Sequence, residues 1–172
     1  MTTKTTLYIA TSIDGFIARK NGSVDWLDKF NSPKEDYGYN KFLKSIDTII
    51  MGSTSYEQIL TFGEFPYKNK TCYVFTSRNL TEDNNVQFIK QSPKQFIKKH
   101  QKQAKNIWLL GGSNLANQFL KNNLIDKLII FIMPTILGEG IRLFQNNNKE
   151  LQLTLKKSKS YKSGAIELRY ER

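Results

Sequence analysis

Apolar residues recur along this chain in short unbroken runs separated by polar stretches. Leu7 to Ser12, Asp47 to Met51, Thr71 to Thr76, Val86 to Ile89, Asn106 to Leu110 and Leu128 to Met133 are such runs. Apolar runs this short, bounded by turn residues, predict strands buried on both faces. Ser32-Pro33-Lys34-Glu35 predicts a helix start, with Ser32 as N-cap, Pro33 in the first turn and Glu35 closing a capping box. That helix is expected to run to about Ser45. Thr54 and Glu57 predict a second capping box, opening a short helix to Leu60. Ser92-Pro93-Lys94-Gln95 predicts a third helix, and Gly111-Gly112 turns into a fourth over Asn114 to Lys121.

The rhythm changes in the tail. Leu151, Leu153 and Leu155 alternate with polar residues, and so do Ile166, Leu168 and Tyr170 beyond Lys162-Ser163-Gly164. Alternation of that kind predicts a half-exposed antiparallel hairpin. Strand-helix repeats followed by strands imply an α/β fold with a mainly parallel central sheet and an antiparallel C-terminal edge. At 172 residues the chain is expected to form one domain, 1–172.

Composition narrows the chemistry. Hydrophobic residues make up 39% and charged residues 24%, a globular balance. No apolar run is long enough to cross a membrane, and residues 1–6 lack the apolar segment of a signal peptide, so a cytoplasmic protein is expected. The single cysteine, Cys72, lies in a strand-like run and reads as a buried strand residue. The single histidine, His100, lies in a polar helical stretch and is expected to be exposed. One His and one Cys exclude Cys/His zinc sites, and nothing around His100 suggests a Ser-His-Asp triad. No metal is therefore expected. What remains is chemistry carried by an organic cofactor that the protein binds and orients. The net charge is +11, but the lysines are dispersed and no basic block or RNA-binding motif occurs. Nucleic acid is not expected as a partner.

Three strand ends could hold a phosphate-bearing ligand. Gly52-Ser53-Thr54-Ser55 follows the run ending at Met51, and Gly111-Gly112-Ser113-Asn114-Leu115 follows the one ending at Leu110. In both, glycine permits close backbone approach and a helix N-terminus offers free N–H groups to an anion. Thr76-Ser77-Arg78 follows the Tyr73-Val74-Phe75 strand, where hydroxyls and a guanidinium could grip a ribose 2′-phosphate. Each alone could be an ordinary capped turn or a solvated arginine. Together they sit at strand carboxyl ends, where open α/β sheets bind ligands. No G-x-G-x-x-G fingerprint is present.

Several segments taken in order resemble one family. They are Ser12-Ile13-Asp14-Gly15-Phe16-Ile17-Ala18 with Gly22 to Leu27, Ile49 to Glu57, Val74 to Arg78, Trp108 to Ser113, and Met133 to Gly140 with Arg142-Leu143-Phe144. The resemblance is to the RibD C-terminal branch of the dihydrofolate-reductase-like superfamily. It implies a dihydrofolate-reductase-like three-layer fold, NADPH as hydride donor and a homodimer. It places Ala10, Ile17 and Ala18 beside the nicotinamide, Gly52 to Ser55 and Gly111 to Leu115 at the pyrophosphate, Thr76 to Arg78 towards the adenosine, and Leu110 among the cofactor-binding residues. Leu128 to Met133 and the segment 134–144 are candidates for the dimer interface.

The implied activity is NADPH-dependent reduction of a small heterocyclic (pyrimidine- or pterin-like) or carbonyl substrate. A pocket carboxylate could supply a proton. Asp36 and Asp14 are the candidates, since Glu35 reads as the capping-box residue. Asp14 reads equally as a turn-forming Asp-Gly, and Asp36 as a solvated first-turn acid. Asp14 and Trp26 are the candidate substrate-binding residues, with core packing as the alternative for Trp26. True dihydrofolate reductase fits less well. Ser53 stands where that enzyme has arginine in its Met-Gly-Arg turn, and Lys70 where it clamps the folate carboxylate. A non-catalytic nucleotide- or nucleic-acid-binding protein is a further alternative. No H-x-E…P-C-x-x-C deaminase signature occurs.

Overall fold

The structure is a computed structural model that describes residues 3–146 and 150–172. Its centre is an eight-stranded sheet of β1 (Lys4–Ser12), β3 (Thr48–Gly52), β4 (Thr71–Phe75), β5 (Gln87–Ile89), β6 (Asn106–Gly111), β7 (Lys127–Met133), β9 (Thr154–Ser160) and β10 (Ile166–Glu171). The order across the sheet is β5-β4-β3-β6-β1-β7-β10-β9. The first six of these are parallel, and β10 joins β7 antiparallel. Two short strands, β2 (Phe16–Ala18) and β8 (Ile141–Arg142), form a separate ribbon. The expected mainly parallel sheet with an antiparallel C-terminal hairpin is therefore present.

Alternate residues of each interior strand feed two cores, because successive side chains point to opposite faces. Leu7, Ile50, Ile107 and Leu109 pack with α3 (Pro93–His100) and α4 (Ser113–Lys121), through Phe96, Leu115 and Phe119. Ile49, Met51, Val74 and Trp108 pack with α2 (Ser53–Thr61) and α1 (Tyr39–Ser45), through Tyr56, Phe42 and Leu43. These are the three layers. Leu7, Ile50 and Leu109 are fully buried. Burial of each stabilises the fold by about 1.5–3 kcal/mol relative to exposure.

Three expectations need correction. The helix predicted from Ser32 starts only at Tyr39, with Gly38 as N-cap at φ +76°. Ser32 and Glu35 form an isolated bridge, and Tyr37 takes a left-handed φ of +51°. The carboxylate that ties this turn is Asp36, which accepts from the Gly38 and Asn40 N–H groups at 2.9 and 3.2 Å. The Thr54–Glu57 capping box does not form: α2 starts at Ser53 without a side-chain cap, and Glu57 pairs with Arg78 at 2.9 Å.

His100 is buried, not exposed. Its ring stacks on Phe96 at 4.3 Å, and its Nδ1 lies 2.9 Å from the Phe96 carbonyl oxygen. One helical turn separates the two residues, so both share the sheet-facing side of α3. Strand β7 lies between β1 and β10, with Leu128, Phe131 and Met133 buried. It is an interior strand of the sheet.

Candidate functional site

The parallel strands all end on one side of the sheet, and two cavities open there. The first, about 590 Å³, is lined mostly by polar residues. Helices α2 and α4 both begin at its floor, directly after β3 and β6. A Cβ built on Gly52 would stand 3.6 Å from the Gly112 nitrogen, and one on Gly112 would stand 3.2 Å from Ser55 Oγ. The two helix starts are thus pressed together. Neither has a side-chain cap, whereas α3 carries a complete capping box from Ser92 and Gln95. Two adjacent uncapped helix N-termini concentrate N–H donors and positive dipole ends in one place.

The Gly111-Gly112 peptide is cis, with Gly111 at φ +139°, a conformation open to glycine. Ser53, Thr54, Ser55, Asn114 and Leu115 line this cavity, and Ile17 and Ala18 form part of its wall. Thr76, Ser77, Arg78 and Lys90 lie at its far end, on the loops after β4 and β5. The Ser113 hydroxyl is already engaged. It donates to the Arg142 carbonyl at 2.6 Å and so anchors β8. The Thr76 hydroxyl accepts from the Arg78 N–H at 3.0 Å and fixes the loop that presents the guanidinium.

The second cavity, about 810 Å³, is walled by aromatic rings. Tyr8 from β1, Tyr37 and Tyr39 from the turn before and the start of α1, Tyr67, Trp108 from β6 and Phe131 from β7 line it. Tyr8 stacks on Phe42 at 4.2 Å, and Trp108 meets Tyr67 edge-on at 5.5 Å. Burial raises the Tyr8 and Tyr67 hydroxyls well above the ordinary tyrosine range, so both stay protonated. Ala10 and Leu110 also line this cavity. The β3–β6 register slips by one residue, leaving Leu110 unmatched on β3. Leu110 faces the aromatic cavity, and Gly112, two residues on, faces the polar one. The end of β6 therefore passes from one cavity to the other.

The candidate acids fare differently. Glu35 and Asp36 line the aromatic cavity. Hydrogen bonds from the Gly38 and Asn40 backbone hold the Asp36 carboxyl below its ordinary range. Asp14 lines neither cavity. Its Oδ1 accepts from Ser12 Oγ at 2.6 Å and from the Leu137 N–H at 3.1 Å, and its Oδ2 from the Gly138 N–H at 2.7 Å. Those bonds, the one from Ser12 first, lower its pKa. Asp14 is a tie between the loops after β1 and β7.

Trp26 does not line the cavity. It is buried in a core group with Phe30, Phe131, Met133 and Ala165, while its neighbours Leu27 and Phe30 reach the wall. Lys70 points its ammonium at the Ile46 carbonyl, 2.6 Å away, and is also absent from the wall. Sequence reasoning missed the tyrosine box. Its members are far apart in the chain, and only the topology brings them together.

A model of the RibD C-terminal domain family matches residues 3–166. The chain is 43% identical to the uncharacterized protein YwjB of Bacillus subtilis strain 168, over all of this chain and 99% of that protein. It is 32% identical to YyaP of the same organism, over 95% of this chain and 92% of that one. Among solved structures it is similar to a Shewanella sp. PV-4 protein assigned provisionally to riboflavin biosynthesis, with TM-score 0.90, 27% identity and 98% of each chain covered. It also superposes on a pyrimidine reductase-like protein from Corynebacterium diphtheriae, with TM-score 0.69 and 16% identity, covering 98% of this chain and 91% of that one. A bifunctional Thermotoga maritima deaminase and 5-amino-6-(5-phosphoribosylamino)uracil reductase superposes with TM-score 0.75 at 14% identity, over 99% of this chain and 56% of that one. The sheet with its antiparallel hairpin is that of these dihydrofolate-reductase-like neighbours. With nearly its whole length matched, this chain belongs to the RibD C-terminal domain family.

Proposed function

We propose that the protein is an NADPH-dependent reductase acting on a small planar heterocyclic or carbonyl substrate. The observation that carries this reading is the meeting of two uncapped helix N-termini at Gly52 and Gly112, beside an aromatic cavity. Paired helix starts with no Cβ between them fit a pyrophosphate. Arg78 and Lys90, at the far end of the same cavity, fit the 2′-phosphate end of the dinucleotide. When bound, NADPH supplies a hydride.

The chain's own residues supply the rest. Ile17 and Ala18 form an apolar wall, and Ala10 and Leu110 border the aromatic cavity where a nicotinamide and a substrate ring would meet. Tyr8, Tyr39 and Trp108 exclude water and align a flat ring by stacking. The Tyr8 hydroxyl, protonated at neutral pH, can donate a hydrogen bond to a substrate heteroatom. Asp36 is held ionised, so it serves as an acceptor or counter-charge rather than as a proton donor. Asp14 positions the two loops and touches neither cavity.

A true dihydrofolate reductase is the weaker reading, because Lys70 is committed to the α1 terminus. Among the described residues no helix is long and apolar enough to cross a membrane, which is compatible with a cytoplasmic enzyme. Exposed Ile13 and Ile136, on the loops beside the site, would suit a homodimer contact.

Calorimetric titration with NADPH and NADH tests the reading. Micromolar NADPH affinity that Arg78→Ala weakens is the expected result. Absence of binding by either nucleotide at millimolar concentration would overturn it.

A further inference from the structure

The charge distribution around the aromatic cavity is opposite to that of the chain. The protein carries 26 lysines and arginines against 15 acids. Among the described residues, no lysine, arginine or histidine lines this cavity, and its two charged groups are the Glu35 and Asp36 carboxylates. Lys29 lies over the Phe30 ring at 5.0 Å but does not line the cavity. The basic residues of the functional face, Arg78 and Lys90, line the other cavity.

From this we infer that the aromatic cavity takes an uncharged or cationic planar nitrogen heterocycle and excludes phosphorylated, nucleotide-like substrates. The inference rests on the reductase reading only in calling the occupant a substrate. The physical case has two parts. A phosphate brought into this cavity would lose water and meet two carboxylates, with no guanidinium or ammonium to replace its hydration. A planar cation would meet ring faces whose negative quadrupoles attract it, with carboxylates at the edge.

The carboxylates are fixed for this task. Glu35 Oε1 accepts from the Tyr37 N–H at 3.0 Å, and Asp36 accepts from Gly38 and Asn40. Tyr37 is itself held by its hydroxyl, which donates to the Phe30 carbonyl at 3.1 Å, and by the ring of Tyr161 at 5.0 Å. A folded turn thus presents two anions and a tyrosine ring to the same space. The net result is selection by charge, separating this cavity from the phosphate-binding one two residues away along β6.

The test uses the full chain and three probes followed by tryptophan fluorescence, since Trp108 lines the cavity. The probes are 1-methylquinolinium, quinoline (uncharged at neutral pH) and uridine 5′-monophosphate, with NADPH binding measured separately by calorimetry. Because the nucleotide could also enter the phosphate-binding cavity, its titration is made with that cavity saturated by NADP⁺. The cation is expected to bind about tenfold tighter than quinoline, and the nucleotide weakest of the three. Glu35→Gln and Asp36→Asn should each reduce the preference for the cation while leaving NADPH affinity in place, which also shows that the variants are folded.

Uridine monophosphate binding as tightly as the cation would overturn the inference. So would a cation preference unchanged in both variants. Loss of NADPH binding with the cation preference intact would sink the reductase reading and leave the charge selection standing.

Discussion

The Asp14 carboxylate accepts a hydrogen bond from the Gly138 N–H at 2.7 Å, joining loops that are 124 positions apart in sequence. With the second oxygen taken by Ser12 and Leu137, the group is a tie and not an acid in waiting. Its pKa is lowered in the folded state, so its stabilising contribution is full above the unfolded value of about 3.9 and is lost as pH falls through the folded one. Asp14→Asn is therefore expected to lower Tm at neutral pH, with the gap to wild type closing in acid. Thermal unfolding as a function of pH measures this. A gap that persists unchanged below the folded pKa would contradict it.

Glu57 and Arg78 form a half-exposed ion pair at 2.9 Å. The arginine that would face a 2′-phosphate is thus partly neutralised. Such pairs contribute about 0–1 kcal/mol and weaken with salt. Glu57→Gln should raise NADPH affinity by up to about fivefold, and NADH affinity less. Arg78→Ala should lower NADPH affinity and leave NADH nearly unchanged. Titrations at two ionic strengths would show whether the guanidinium acts through charge.

Gly112 has an ordinary φ of −78°, so alanine is conformationally allowed there. The added methyl would press on Ser55 Oγ, a side chain that can rotate. Gly112→Ala should cost little stability but should weaken NADPH binding by about tenfold or more, because the methyl occupies the approach to two helix N-termini. Differential scanning calorimetry and a binding titration on the same sample separate the two effects.

Glu167 is buried on β10 and accepts from the Tyr161 hydroxyl at 2.6 Å and from Arg169. Burial alone would raise its pKa; the Arg169 and Tyr161 bonds outweigh this and hold it below the ordinary range. Tyr161→Phe removes one of those donors, at an expected cost of about 1–3 kcal/mol. Because the Tyr161 hydroxyl also donates to the Tyr37 carbonyl at 3.3 Å, the same variant should loosen Tyr37 and weaken ligands of the aromatic cavity while NADPH affinity holds. Equal losses at both cavities would mean a general loosening instead.

Gly140 packs against the β2 ribbon, and a Cβ there would overlap the Ala18 carbonyl oxygen at a φ of +147°. Gly140→Ala is expected to destabilise the protein by several times more than Gly138→Ala, whose Cβ would meet open space, although both carry a positive φ. Urea unfolding of the pair gives the comparison.

The sequence by itself determined the interior strands, the sheet class and the strand-end residues that line the polar cavity, but not the first strand of the C-terminal hairpin, which begins at Thr154, after Leu151 and Leu153. Buried strands announce themselves as short apolar runs, and Gly52, Gly111-Gly112 and Arg78 lie within a few residues of the strand ends that carry them. Local signals of that kind survive folding. Even so, the capping pattern misled twice. Ser32 and Glu35 lost their helix because the chain turns left-handed at Tyr37 and Gly38 to bring Tyr37 and Tyr39 to the cavity.

What only the tertiary structure decided is which residues share a space. Tyr8, Tyr67, Trp108 and Phe131 sit on separate segments, and nothing in any one window distinguishes a cavity wall from a core side chain. The order β3-β6-β1-β7 sets these strands side by side, and the faces they present then decide that Trp26 is core and Tyr8 is wall. The charge of the cavity is likewise invisible in a chain of net charge +11, because it depends on where two carboxylates are placed and not on how many there are.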